Sequence, residues 1–258
     1  VTGGVLTVPE EVLEPPIEDA SGYAISSKDL DFLQIAPDMV HKWRTRAAPL
    51  GMDEGAFAFF TRTLELALAK DDILSCEVRL KGSSATFFSN PRKRMPWTRE
   101  EIVDLFVEST GDYPQLFVIE RIERTLQRLW PNPTAHPTQR PFDLLHRLGI
   151  ALSPSDYDIQ ISSDEIDARA RQLVLELAVD PAPHRIQSQE YDFIKKHLFH
   201  EACEHLDTWA AHCSKVLRRE VSIAAFPLSG PPDRSDEIGD KSSHHRPSDW
   251  VILVKRNG

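Results

Sequence analysis

Two short strings in the 258-residue chain carry side chains whose types and spacing suit phosphate and metal chemistry. In Leu80-Lys81-Gly82-Ser83-Ser84-Ala85 an alternating strand runs into Gly-Ser, and a helical turn is expected to begin there. Backbone N–H groups and a hydroxyl then converge where an anion would sit, which makes Gly82, Ser83 and Ser84 candidate phosphate ligands. In Ser155-Asp156-Tyr157-Asp158-Ile159-Gln160 two acids stand two apart on an expected strand, so both carboxylates leave one face, roughly 6.6 Å apart along the chain. Magnesium prefers a few carboxylates completed by water and substrate phosphates. Asp156 and Asp158 beside a Gly-Ser cradle would thus form a metal–nucleotide site, whereas either string alone reads as an ordinary turn.

Further candidates surround this pair. Arg92 and Lys93, with Arg94, follow the Gly-Ser string and are placed to steer a triphosphate or an RNA end, the alternative being a solvated loop. Lys81, Arg140 and Lys241 are additional cations for phosphate. His197, Glu201 and His205 share one face of an expected helix, a spacing compatible with zinc or with a plain amphipathic surface. The polar stretch 229–245 reads as a surface loop or as a lid with His244 or His245 as an acid or base.

The elements that would position these groups follow from periodicity. Residues 1 to about 27, rich in Pro, Glu, Ser and Gly, read as an extended arm, and 28–70 read as helical, with Asp53 as a cap before Phe57, Phe60, Leu64 and Leu68. Cys76, Val78 and Leu80 alternate with Glu77, Arg79 and Lys81, which predicts a half-buried strand. Helices are expected over 99–109, 118–129, 164–178 and, as one long pattern, 190–219. Strands are expected at 157–162, at 221–226 as a run buried on both faces, and at 250–254 as a last edge strand. Pro154-Ser155-Asp156-Tyr157 is echoed by Pro247-Ser248-Asp249-Trp250.

Composition limits the partners. Thirty Lys and Arg against forty Asp and Glu give a net charge of −10, unsuited to a long footprint on duplex nucleic acid. The apolar runs at 56–60 and 221–226 fall far short of the roughly 20 residues that span a bilayer, so no membrane association is expected. Residues 1–11 place no positive charge ahead of an apolar run, and three cysteines without C-x-x-C spacing cannot all pair, so a cytoplasmic protein is expected.

The strand ending in Gly82-Ser83 followed by a strand carrying Asp156-x-Asp158 resembles the DNA polymerase β-type nucleotidyltransferase superfamily. The resemblance spans about residues 76–227. It implies an α/β (α+β) fold: a nucleotidyltransferase-like core with a small mixed sheet, here over 76–258, an N-terminal arm and helical region over 1–75, and a helical insertion at about 91–150. It also implies Mg-dependent transfer of a nucleotidyl group from an NTP, ATP among them, to an RNA end, protein, small molecule or nucleotide. The family keeps the two motifs close together, whereas Asp156 stands 73 positions after Ser83. It also places a third carboxylate on a later strand, where this chain has Ser222 or Ala224; Glu220, or Asp249 from the last strand, is the expected substitute. Without one, the chain would be a catalytically weakened nucleotide-binding sensor or adaptor, with a protein partner, or an interaction module in which both motifs are turns.

Overall fold

The computed structural model describes residues 15–177 and 180–256. In chain order the elements are α1 (Ser27–Leu33), α2 (Pro37–Arg44), α3 (Glu54–Lys70), β1 (Cys76–Lys81), α4 (Ser83–Thr86), α5 (Arg99–Thr110), α6 (Leu116–Leu129), α7 (Leu144–Leu148), β2 (Tyr157–Ser162), α8 (Asp164–Glu176), α9 (Pro183–Ile186), α10 (Lys196–Ala202), α11 (Glu204–Leu217), β3 (Val221–Phe226), α12 (Ser235–Ile238) and β4 (Trp250–Lys255). The fold is therefore mixed α and β, with one four-stranded mixed sheet among the described residues. No helix among them is long and apolar enough to cross a membrane. Residues 1–14 of the expected arm, and Ala178 at the expected end of α8, lie outside the described residues.

Caps written in the sequence set several helix starts. Ser26 and Asp29 form a capping box on α1, Asp53 accepts from Ala56 N at 2.7 Å to start α3, and Thr98 and Glu101 form a second box on α5. The pattern over 190–219 does not form one helix. The backbone breaks at Cys203 (φ −140°, ψ 65°), and the buried Asp71 accepts from the N–H groups of His205 and Leu206 at 3.1 and 2.8 Å, starting α11 anew. An acid more than 130 residues upstream thus decides a boundary that local periodicity misses.

Two compact units divide the chain: Val1–Val40 with Pro91–Pro154, and His41–Asn90 with Ser155–Gly258. In the first, α6 buries Ile119, Ile122, Leu126 and Leu129, and Asp19 fastens the segment before α1 to the one before α7. Its carboxylate accepts from Ser21, Tyr23, Thr138 and Gln139.

The second unit holds the sheet, in the order β3-β2-β1-β4, with β1 antiparallel to both β2 and β4 and β2 parallel to β3. Each central strand has two faces. Val78, Leu80, Tyr157, Ile159 and Ile161 are buried with Phe60, Leu64 and Leu68 of α3 and with Leu206 and Trp209 of α11. Phe60 and Trp209 meet edge to face at 4.8 Å. Each such side chain removed from water contributes about 1.5–3 kcal/mol, so this face fixes the sheet on its helices. β3 is an edge strand whose Ser222, Ile223 and Ala224 are only partly buried, in place of the run expected to be buried on both faces.

Two stability outcomes follow. Asp71→Ala should lose about 1–2 kcal/mol in urea unfolding, because two N–H donors at the start of α11 lose their acceptor. Burial alone would raise the Asp19 carboxyl, but hydrogen bonds from Ser21, Thr138 and Gln139 outweigh it and hold it at about 2 against an ordinary 3.8. Its contribution, about 2 kcal/mol, is complete above roughly pH 4 and is lost as the pH falls through about 2. Asp19→Ala should remove that acid-dependent part of the unfolding free energy.

Candidate functional site

The apolar face of β2 is committed to the core, so its alternate residues Asp158, Gln160 and Ser162 share the opposite face with Glu77, Arg79 and Lys81 of β1. The registers set three rows across this polar face: Lys81–Asp158–Ser222, Arg79–Gln160–Ala224 and Glu77–Ser162–Phe226. Directly opposed residues on paired strands stand close enough for their side chains to interact.

The Gly-Ser turn lies at the Asp158 end. Gly82 has φ +76° and ψ −171°, and its carbonyl accepts from Ala85 N, Thr86 N and the Thr86 hydroxyl at 3.0, 3.1 and 3.0 Å. Trp43 Nε1 donates to Ala85 O at 2.9 Å and Leu50 N to Ser84 O at 3.1 Å, so the turn is anchored from outside. A Cβ at position 82 would stand 2.9 Å from Asp158 Oδ2, which places the Asp158 carboxylate directly against the glycine. The two motifs, far apart in sequence, are neighbours in space. Ser83 is half-buried and Ser84 buried.

Ser222 occupies the row of Asp158, and its hydroxyl donates to Asp158 Oδ1 at 3.1 Å. Ala224 lies beside Gln160. Asp156 is exposed, one residue before β2, and Tyr157 N donates to Glu220 O at 2.8 Å, so Glu220, also exposed, comes alongside Asp156. Next to it Arg219 donates to Ser155 O and lies 5.3 Å from the centre of the Tyr157 ring. Asp249 does not come forward as a spare acid. It is buried, accepts from Arg246 N at 2.8 Å and pairs with Lys81 at 3.1 Å. Arg92 and Lys93 are exposed in the first unit, and Arg94 of the same turn bridges to Gln139.

Among the described residues no three or more His, Cys, Asp or Glu side chains are gathered into a metal-holding group. Asp156, exposed just before β2, and Asp158, half-buried against Gly82, are carboxylates of the type that magnesium takes one or two of, completed by water and phosphates. His197 and Glu201 lie on α10 and His205 on α11, so the break at Cys203 interrupts the shared face expected of them. Burial pushes the thiols of Cys76 and Cys203 up to about 11 and about 12, which keeps them protonated and chemically quiet.

The polar face holds a second feature that motif reading passed over. Gln160 and Ser162 are 2% and 1% exposed, and among the described residues neither amide atom of Gln160, the Ser162 hydroxyl nor His245 Nε2 has a hydrogen-bond partner. Leaving a buried polar group unpaired costs about 1–3 kcal/mol. Burial, then the nearby Arg79, lowers the pKa of His245 below the ordinary histidine value. The period-two alternation of Asp158, Gln160 and Ser162 is the signal that would have revealed this row.

Comparison of the chain with family models, characterised proteins and solved structures returned no match.

Gly82→Ala should cost about 1–3 kcal/mol in unfolding free energy, because the backbone there suits glycine alone and the new methyl group meets the Asp158 carboxylate. Equilibrium urea unfolding of the variant checks this.

Proposed function

We propose that the second unit binds a magnesium nucleoside triphosphate and transfers its nucleotidyl group to an acceptor. The observation that carries this reading is the contact of Gly82 with the Asp158 carboxylate, which joins a Gly-Ser turn to an acidic strand at one end of a mixed sheet. Gly82, Ser83 and Ser84 would border the phosphates, and Asp156 and Asp158 would hold the ion. The ion would neutralise charge on the phosphates as the bond to the leaving pyrophosphate breaks. Glu220, alongside Asp156, would take the proton from the acceptor hydroxyl as its oxygen bonds to the α-phosphorus. The acceptor remains one of the classes named above: an RNA end, a protein, a small molecule or a nucleotide.

A second reading, nucleotide binding with little turnover, is favoured by Ser222. It stands in the row of Asp158, where the resemblance implies an acid, and hydrogen-bonds to that residue.

Equilibrium binding of labelled NTPs and label transfer into cell lysate test both. Mg-dependent binding should disappear in the Asp156→Ala/Asp158→Ala double variant. Glu220→Gln should bind NTP within about threefold of the parent yet lose roughly 100-fold or more of the transfer rate, the ordinary contribution of a general base. Binding without transfer in the parent protein would select the second reading; absence of Mg-dependent binding would end both.

A further inference from the structure

Between β3 and β4 the chain from 227 to 249 is fastened at its start by Leu228 N, which donates to Asp164 Oδ1 at 2.9 Å, in its middle by Arg234, which pairs with Asp192 at 3.1 Å, and at its end, over 243–249, to the polar face of β1. Lys81 Nζ donates to the carbonyls of Ser243 and His244 at 3.0 and 2.8 Å and pairs with Asp249. Arg79 lies 3.9 Å from the Asp249 carboxylate and pairs with Glu77, and His245 Nδ1 is 3.8 Å from Glu77. The His245 ring is packed on Gly230, where a Cβ would stand 2.6 Å from Cε1.

These fastenings are polar and peripheral, while the groups beneath them are buried and unpaired. Gln160 and Ser162, next along β2 from Asp158, keep three side-chain polar atoms without partners, and His245 adds a fourth. An arrangement that only had to close the fold would place apolar side chains there, as β2 does at Ile159 and Ile161 on its other face. The charges nearby are already matched, Glu77 with Arg79 and Lys81 with Asp249, so the unpaired row favours an uncharged group. A glutamine amide offers a donor and an acceptor side by side in one plane, the complement of a nucleobase edge.

We infer that residues 227–249 form a displaceable cover and that Gln160 and Ser162 beneath it bind the edge of a nucleobase. The inference rests on the nucleotide reading for its ligand, because Gln160 lies roughly 6.6 Å along the strand from Asp158. Displacement of the cover frees the Gln160 amide, and a bound base satisfies it.

The experiment uses the full chain with two probes: the four common ribonucleosides, which lack phosphate, and Mg-tripolyphosphate, which lacks a base. Calorimetry reads their affinities in the parent, Gln160→Leu, Ser162→Ala and Asp158→Asn proteins. Melting and trypsin cleavage at Arg234 and Lys241 report the cover. Gln160→Leu should raise the melting temperature by a few degrees, slow cleavage in the cover severalfold and weaken nucleoside binding at least tenfold, with tripolyphosphate binding unchanged. Ser162→Ala removes one hydroxyl and guards against loss of fold; it should weaken nucleoside binding at an intact melting temperature. Unchanged nucleoside affinity in both variants, or no nucleoside binding to the parent at millimolar concentration, overturns the base site, even where tripolyphosphate still binds. Nucleoside binding that is sensitive to Gln160, without tripolyphosphate binding sensitive to Asp158, upholds the base site and overturns the triphosphate reading.

Discussion

The organisation of the second unit depends on the burial of one face of β2. Tyr157, Ile159 and Ile161 are taken into the core with residues of α3 and α11, and this fixes which way every other residue of the strand points. A slip of one residue against β1 would carry Ile159 out and Asp158 in, exchanging the apolar face for the acidic one. Because that exchange is so unfavourable, the position of Asp158 against Gly82 is held by hydrophobic burial several ångströms away from the carboxylate itself. The candidate chemistry is a by-product of the packing on the far side of the sheet.

The same constraint explains how two motifs 73 positions apart in sequence become neighbours in space. The intervening chain, 91–154, packs with residues 15–40 in a unit of its own, so it leaves the β1–β2 pairing undisturbed. Lengthening a connection raises the entropic cost of closure only slowly, so such an excursion is tolerated. The helical stretch 28–70 is divided between the two units rather than forming one N-terminal region.

The polar face shows the reverse balance. At the Asp158 end the groups are partly exposed and engaged, with Ser222 bonded to the carboxylate. Two and four residues further along, Gln160 and Ser162 are buried without partners under a segment attached through Lys81, Arg79 and Glu77. Stability in this part of the molecule rests on charged contacts at the margin, while the middle carries a penalty.

Much of the secondary structure was legible in the sequence, because its causes are local. The alternation of Cys76, Val78 and Leu80 gives β1, that of Tyr157, Ile159 and Ile161 gives β2, and Ser-, Asp- and Thr-type caps start α1, α3 and α5. The acidic pair and the Gly-Ser turn were also visible as types and spacings. The break at Cys203 was not, since it is made by Asp71 from another element. Nor was the place of Ser222 beside Asp158, the commitment of Asp249 to Lys81 or the unpaired burial of Gln160. Those depend on which strands pair and in what register, and that is decided by the joint burial of apolar faces from the whole unit. The sequence alone determined the elements and the chemical types they carry; the tertiary structure alone decided which of those groups meet, because no local period encodes a contact between distant strands.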